Sequence, residues 1–193
     1  MKTDKKTLLQ QLAREVQLNI KEVQKLEDCS EGQLIVIPAT GGWNIAQVIE
    51  HLNTYNAYYL PAIQKAMKQA VADKNCSTFK PGILGDYFVK MMQPKNSSIG
   101  KRYKAASRHI PTGDINAREV LKTYLNNQQR LLQLLDIADG YNINTIKIPT
   151  SISSLIKLKL GDVFRFLIAH QQRHFVQIEH ILNTKIQLKQ APL

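Results

Sequence analysis

The stretch AHQQRHFVQIEHIL, residues 169–182, decides the fold predicted for this chain. Apolar residues recur here at helical spacing, which predicts an amphipathic helix from about Asp162 to about Asn183. His170 and His174 lie on the same face as these apolar residues, because positions four apart are neighbours on a helix. A buried imidazole has a donor and an acceptor to satisfy, and each one left unpaired costs roughly 1–3 kcal/mol. Two such groups on one apolar face need partners, and one metal ion can take a nitrogen from each.

Upstream of this stretch, the same periodicity predicts two more helices in the first third of the chain. The first covers residues 6–28, where apolar residues step by three or four. Asn44 and Gln47 resemble a capping box that opens the second helix. Pro61 falls inside the apolar pattern of that helix and predicts a kink or an early end, because proline lacks a backbone donor.

A third helix follows the capping pair Asn116 and Glu119 and ends near Gly140. The β-branched stretch TIKIP, residues 145–149, is predicted to be extended. Four amphipathic helices of this length predict an all-α protein, a four-helix bundle in a single domain of residues 1–193.

Residues 74–113 form the long connection of the predicted bundle and read mostly as loop, with GDYFVKMM, residues 85–92, as one short helical piece. A connection of this length inside a compact domain is more often functional than idle. We therefore expect it to wall a pocket next to the bundle.

The charge is unevenly distributed. The net charge is +11, and residues 65–108 carry ten Lys or Arg against Asp73 and Asp86 alone. An excess of this kind favours an anionic partner, which could be nucleic acid, a membrane surface or a small acidic substrate, or it is a solvated surface that aids solubility. Tyr87, Phe88 and Tyr103 could supply stacking rings for nucleic acid.

The sequence shows neither a membrane-spanning stretch nor cysteines at metal-ligand spacing. No apolar run approaches the roughly 20 residues of a membrane span, which predicts a cytoplasmic protein without a membrane partner. Cys29 and Cys76 have no metal-ligand spacing, which fits a reducing compartment.

His51 is the predicted third metal ligand, because it shares the inward stripe of the second helix with Tyr55. His109 lies in the basic connection, and His180 is about 120° around the helix from His174, so both are interpreted as surface residues. No Glu follows the first histidine of the pair, so the spacing does not support the general-base chemistry of H-E-x-x-H proteases.

Two motifs resemble one known family. GGWNIAQVIEHL, residues 41–52, is similar to the tryptophan-led entry to the second helix of the DinB-like superfamily, also described as DinB/YfiT-like metalloenzymes. FLIAHQQRHFVQIEHIL, residues 166–182, is similar to its last helix. The resemblance implies a four-helix bundle with a divalent metal, zinc or nickel, on His51, His170 and His174, with an open position. It also implies that such chains can pair as homodimers and that some relatives use a low-molecular-weight thiol.

An open three-histidine site can lower the pKa of a bound water or hold a thiol as thiolate. This predicts a metal-dependent transferase or hydrolase that acts on a small molecule. Gln177 is a candidate to orient a ligand or water, Tyr55 a candidate pocket wall, and Trp43 an anchor at the helix entry. Two alternatives stay open: a metal- or ligand-binding bundle without turnover, and a basic nucleic-acid-interacting protein.

The basic connection suggests the class of substrate. Its cations could select an anionic substrate or thiol cofactor by raising the local concentration of anions. The cations considered are Lys90, Lys95, Lys101, Arg102, Lys104 and Arg108.

Overall fold

Helices dominate the structure. The computed structural model describes residues 2–39, 41–95, 98–101 and 103–190, and 63% of it is helical. The helices are α1 (Lys5–Glu27), α2 (Glu31–Ile35), α3 (Ile45–Gln69), α4 (Ile83–Met92), α5 (Ala117–Ala138) and α6 (Leu160–Gln190), with a 3₁₀ turn at Ser107–His109. The strands are β1 (Thr3–Asp4), β2 (Thr78–Phe79), β3 (Lys147–Pro149) and β4 (Lys157–Lys159). The prediction of an all-α chain is therefore met by a mostly helical structure.

The four long helices pack in a closed order, in which α1 contacts α5 and α6, and α3 also contacts α5 and α6. Their buried side chains form two apolar clusters. In one cluster, side chains from the first halves of α1 and α6 pack against side chains from the second halves of α3 and α5. In the other cluster, the second halves of α1 and α6 pack against the first halves of α3 and α5. This division shows that α3 and α5 run in one direction and that α1 and α6 run in the other.

Local signals in the sequence set the helix starts. The Asn44 side chain accepts a hydrogen bond from the Gln47 backbone at 2.8 Å, and the Gln47 side chain accepts one from the Asn44 backbone at 3.0 Å. The Asn116 side chain caps α5 at the Glu119 backbone at 3.1 Å. Each bond satisfies a backbone donor that the first helical turn leaves unpaired.

Of the two outcomes predicted at Pro61, a kink or an early end, the early end is wrong, because α3 continues through this residue to Gln69. Ile63 and Met67, which follow the proline, are almost fully buried in the core. Burial of two large apolar side chains stabilises the last two turns by more than the loss of one backbone hydrogen bond costs.

Two short antiparallel strand pairs complete the fold. β3 pairs with β4 with Ile148 opposite Leu158, and both side chains are buried. The extended conformation predicted for residues 145–149 is thus found at residues 147–149. β1 pairs with β2, which ties the start of α1 to the long connection between α3 and α5.

The connection is anchored to α6 by a buried carboxylate. Asp162 is fully buried, and it accepts hydrogen bonds from the Gly82 backbone at 2.8 Å and from Arg165 at 3.1 Å. Arg165 also bonds Asp86 of α4 at 2.9 Å. These bonds hold α4, the short helix predicted in the connection, against α6. None of the helices in the described residues has the length and apolar character of a membrane span.

Candidate metal centre

Three imidazoles meet between α3 and α6. His51 lies in the second turn of α3, and His170 and His174 lie one turn apart on α6. All three side chains are buried, at 3%, 4% and 9% exposure. The residues that sequence analysis predicted as ligands are therefore brought together by the contact between these two helices.

The three Nε2 atoms converge. Nε2 of His170 lies 3.3 Å from Nε2 of His51 and 3.1 Å from Nε2 of His174. The three ligand atoms all lie within 4.8 Å of one another. Two nitrogens bound tetrahedrally to one zinc ion at about 2.0–2.1 Å would be roughly 3.3 Å apart. The nitrogen separations around His170 therefore suit a divalent metal ion.

Hydrogen bonds behind the rings point the lone pairs inward. Nδ1–H of His51 donates to the backbone oxygen of His109 at 2.6 Å, and Nδ1–H of His174 donates to Oε1 of Gln177 at 2.9 Å. A proton on Nδ1 leaves Nε2 with a free lone pair. Nδ1 of His170 has no partner among the described residues, so its tautomer is not fixed in this way, and a proton on Nδ1 would free its Nε2 for the same cation. Such bonds to the far nitrogen are typical of histidines that bind metal.

Burial keeps these rings neutral. Burial lowers the pKa of His51 and holds the pKa of His170 well below its usual range. Burial, followed by the nearby His51, lowers the pKa of His174 to about 3. The three imidazoles are therefore neutral near pH 7, which is the form that binds metal.

The interpretation of His109 as a surface residue is wrong. Its side chain is 1% exposed, its ring stacks on Tyr55 at 3.8 Å between centroids, and its Nδ1 lies 2.9 Å from the Thr54 hydroxyl. Burial lowers the pKa of His109 to about 4. The 3₁₀ turn carries His109 back onto α3, a long-range contact that no local pattern signals. His180, by contrast, is exposed as expected.

Aromatic rings surround the three histidines. The ring centroid of Trp43 lies 4.9 Å from that of His51, and the Tyr55 centroid lies 4.3 Å from that of His170. Burial raises the pKa of Tyr55 to about 12, so its phenol stays protonated and cannot serve as a base near pH 7. Phe166 stacks on His170 at 5.7 Å and fixes the ring from the preceding turn of α6.

The histidines open onto a cleft of about 380 Å³. Its walls come from the entry to α3, from α6 and from the long connection, which contributes Met92, Ile99, Tyr103, Lys104 and Ala105. Tyr55 and Gln177 also line it. In the part of the chain that the structure describes, no Asp or Glu lines this cleft, whereas Lys104 and Arg173 do.

The wall of the cleft depends on Arg173, a residue that the sequence analysis did not select. Arg173 lies between the two histidines of α6, is 8% exposed, and donates to the backbone oxygens of Ile99 and Lys101. Its guanidinium also lies 5.5 Å from the ring centroid of Tyr103. The sequence does show an arginine between the two predicted ligands of this helix. It could not show what this arginine bonds, because its partners are more than 70 residues away.

Other members of the basic connection lie away from the histidines. Lys90 pairs with Asp86 at 2.8 Å, and Arg108 donates to the Ser151 backbone at 3.0 Å. Lys95 and Lys101 are exposed and do not line the cleft, and Arg102 lies outside the described residues.

The aromatic residues considered for nucleic acid do not form one stacking surface. Phe88 packs against the core next to Phe166, and Tyr103 faces Arg173 at the cleft. Tyr87 is 61% exposed.

These features define a mostly helical protein with three buried, converging histidines at the base of a cleft. The model of the DinB superfamily matches residues 22–178, and the chain belongs to this superfamily. Comparison with curated proteins and with solved structures gives no match.

Proposed function

We propose that this protein is a metal-dependent enzyme that binds one divalent ion, zinc or nickel, through His51, His170 and His174. The convergence of three neutral Nε2 atoms, 3.1 and 3.3 Å apart around His170, carries this proposal. The donor set is all imidazole, which suits zinc and nickel better than the oxygen-preferring magnesium or calcium. Among the described residues, the group holds three ligands, which leaves a coordination position for a substrate.

A bound ion of this kind supplies Lewis-acid activation of an oxygen or sulfur group at neutral pH. The chain supplies orientation and exclusion of water. The His109 backbone and the Gln177 side chain hold two ligand rings in place. Trp43 and Tyr55 give the cleft apolar walls. Lewis-acid activation of this kind fits a transfer or hydrolysis reaction. The substrate would be a small molecule, because a cleft of about 380 Å³ suits one small ligand.

The charge of the cleft favours an anionic ligand. Lys104 and Arg173 line it, and the described lining contains no Asp or Glu. An anionic thiol fits this environment, since positive charge stabilises a thiolate. The described lining contains no carboxylate that could act as a general base. A nucleophile that is already anionic therefore suits the cleft better than a water molecule, which would need a base to remove its proton.

The first test asks whether the protein binds a metal ion and whether that ion has an open coordination position. Protein purified without added metal is expected to contain about one divalent ion per chain by elemental analysis. After replacement by cobalt(II), whose visible spectrum reports its ligands, mercaptoacetate is expected to change the spectrum. A cobalt spectrum that no small anion or thiol alters would indicate a closed site and would contradict the catalytic proposal. Metal binding with no product from any thiol and electrophile pair would favour the binding protein without turnover.

The second test is the charge of the cleft. Lys104→Glu is expected to weaken mercaptoacetate binding to the cobalt protein roughly three- to tenfold at low salt, because it replaces attraction by repulsion at the cleft wall. Lys95→Glu is the matched control, since Lys95 is exposed in the same connection and does not line the cleft. Neutral mercaptoethanol should respond little to either change. Equal mercaptoacetate affinity in wild type and Lys104→Glu would mean that this charge is only a solvated surface.

We also propose that the four long helices form one DinB-like four-helix bundle, with the chain between α3 and α5 as its long crossover. The closed packing order of these helices and the shared direction of α3 and α5 support this architecture. The crossover then brings five described residues to the cleft, which gives the long connection a role in ligand binding: Met92, Ile99, Tyr103, Lys104 and Ala105.

A further inference from the structure

A layer of amide side chains crosses the centre of the protein. Each of the four long helices contributes at least one buried amide, and one from each helix lies near its middle and is at most 4% exposed. The four are Asn19 on α1, Asn56 on α3, Gln128 on α5 and Gln171 on α6. We call them the central amide layer. Asn and Gln are rarely buried this completely unless they are hydrogen-bonded.

The four amides lie at one level along the helices. Asn56, Gln128 and Gln171 each fall in the gap between the two apolar clusters on their helix, and Asn19 lies at the edge of that gap. Across α1 and α6, Nδ2 of Asn19 donates to Oε1 of Gln171 at 2.8 Å. The helices α3 and α5, which carry Asn56 and Gln128 in this gap, contact each other, and α3 also contacts α6.

Most side-chain polar atoms of the layer have no hydrogen-bond partner among the described residues. Both amide atoms of Asn56 and of Gln128 are buried and unpaired, and so is Nε2 of Gln171. The hydroxyl of Tyr124, one turn before Gln128, is also buried and unpaired. Buried amides that stay unpaired are strongly destabilising, so these groups require a ligand that they can bond.

We propose that the central amide layer binds internal water. The unpaired groups include both donors, the amide NH₂ groups, and acceptors, the amide oxygens. A metal cation would satisfy only the oxygens, and an anion would satisfy only the NH₂ groups. Water donates and accepts, and buried water typically makes about three hydrogen bonds to such groups.

A hydrated layer would fix the relative heights of the helices that carry the candidate metal site. Gln171 follows His170 directly, and Asn56 follows Tyr55. Apolar burial is non-directional, whereas a set of directed hydrogen bonds is satisfied in one register only. This role does not depend on which metal or substrate the site binds.

The direct test is a high-resolution crystal structure of the wild-type protein together with water ¹⁷O relaxation dispersion, which detects long-lived internal water. At least one ordered water bonded to both Asn56 and Gln128 is expected. Direct pairing of the two amides with no water between them would overturn the proposal.

Variants give a second, independent readout. Asn56→Leu alone is expected to lower Tm, because it removes hydrogen-bond partners from the proposed water, which Gln128 also bonds. Asn56→Leu combined with Gln128→Met is expected to recover much of that loss and to remove the long-lived water signal. Gln133→Met is the matched control, since Gln133 is exposed on the same helix. A long-lived water signal of the same size in the double variant and the wild type would contradict a site in this layer.

Discussion

Replacing His170 with alanine is expected to abolish tight binding of the divalent ion. His170 is the central member of the group, because its Nε2 lies within 3.3 Å of the Nε2 atoms of both other histidines. Its loss leaves two ligands on different helices, which is too few for a stable site. His51→Ala and His174→Ala should also weaken metal binding. Elemental analysis measures the metal content of each variant, and chelator competition measures its Kd for the metal.

His180→Ala is the control for this series. His180 is an exposed histidine six residues beyond His174, and it lines the cleft without belonging to the group of three converging histidines. It should keep the metal content of the wild type. His109→Ala should also bind metal, because His51 bonds the backbone oxygen of His109 and not its ring. Loss of metal in His109→Ala with normal binding in His51→Ala would show that the ligand set is wrong.

Metal binding should also stabilise the fold. An ion that binds only the folded state adds about 2.7 kcal/mol at a free concentration one hundred times Kd. Chelation should therefore lower the Tm of the wild type and leave the Tm of His170→Ala unchanged. A wild-type Tm that does not respond to chelator would contradict an occupied site.

Gly161→Ala is expected to destabilise the protein strongly, by about 1–3 kcal/mol or more. A Cβ at this second residue of α6 would lie 2.4 Å from a ring carbon of Phe79. Phe79 is 1% exposed, so its ring has no free space into which it can move. The strain would fall on the contact between β2 and the start of the helix that carries His170 and His174. Chemical denaturation measures the loss.

Gly32→Ala is the matched control for this glycine. Gly32 lies in the short helix α2, and no atom comes within 4 Å of a Cβ placed there. Alanine in a helix is favoured over glycine by about 0.5–1 kcal/mol, so Gly32→Ala should be neutral or slightly stabilising. If Gly161→Ala were as stable as Gly32→Ala, the packing of Phe79 against α6 would be wrong.

Local patterns explain what could be predicted. The period of apolar residues placed the long helices, and the capping residues Asn44 and Asn116 marked two of their starts. His170 and His174 were found because a helix alone places positions four apart together. His51 was found because it lies on the inward stripe of its own helix. These features depend on spacing within one element, which the sequence carries directly.

The continuation of α3 through Pro61, where an early end was one of two predicted outcomes, shows the limit of a local rule. Proline weakens a helix by itself, but the burial of Ile63 and Met67 depends on what the neighbouring helices offer. That free energy belongs to tertiary packing, so no rule about proline in isolation includes it.

By itself, the sequence determined the helical class of this protein and the three histidines that face its interior, since both follow from short-range periodicity. Only the tertiary structure decided that His109 is buried behind His51 and that Arg173 holds the wall of the cleft. It also decided that Asn56 and Gln128 lie unpaired in the core. These contacts join segments far apart in the chain, and they arise because packing the apolar faces of the helices fixes which distant polar groups meet.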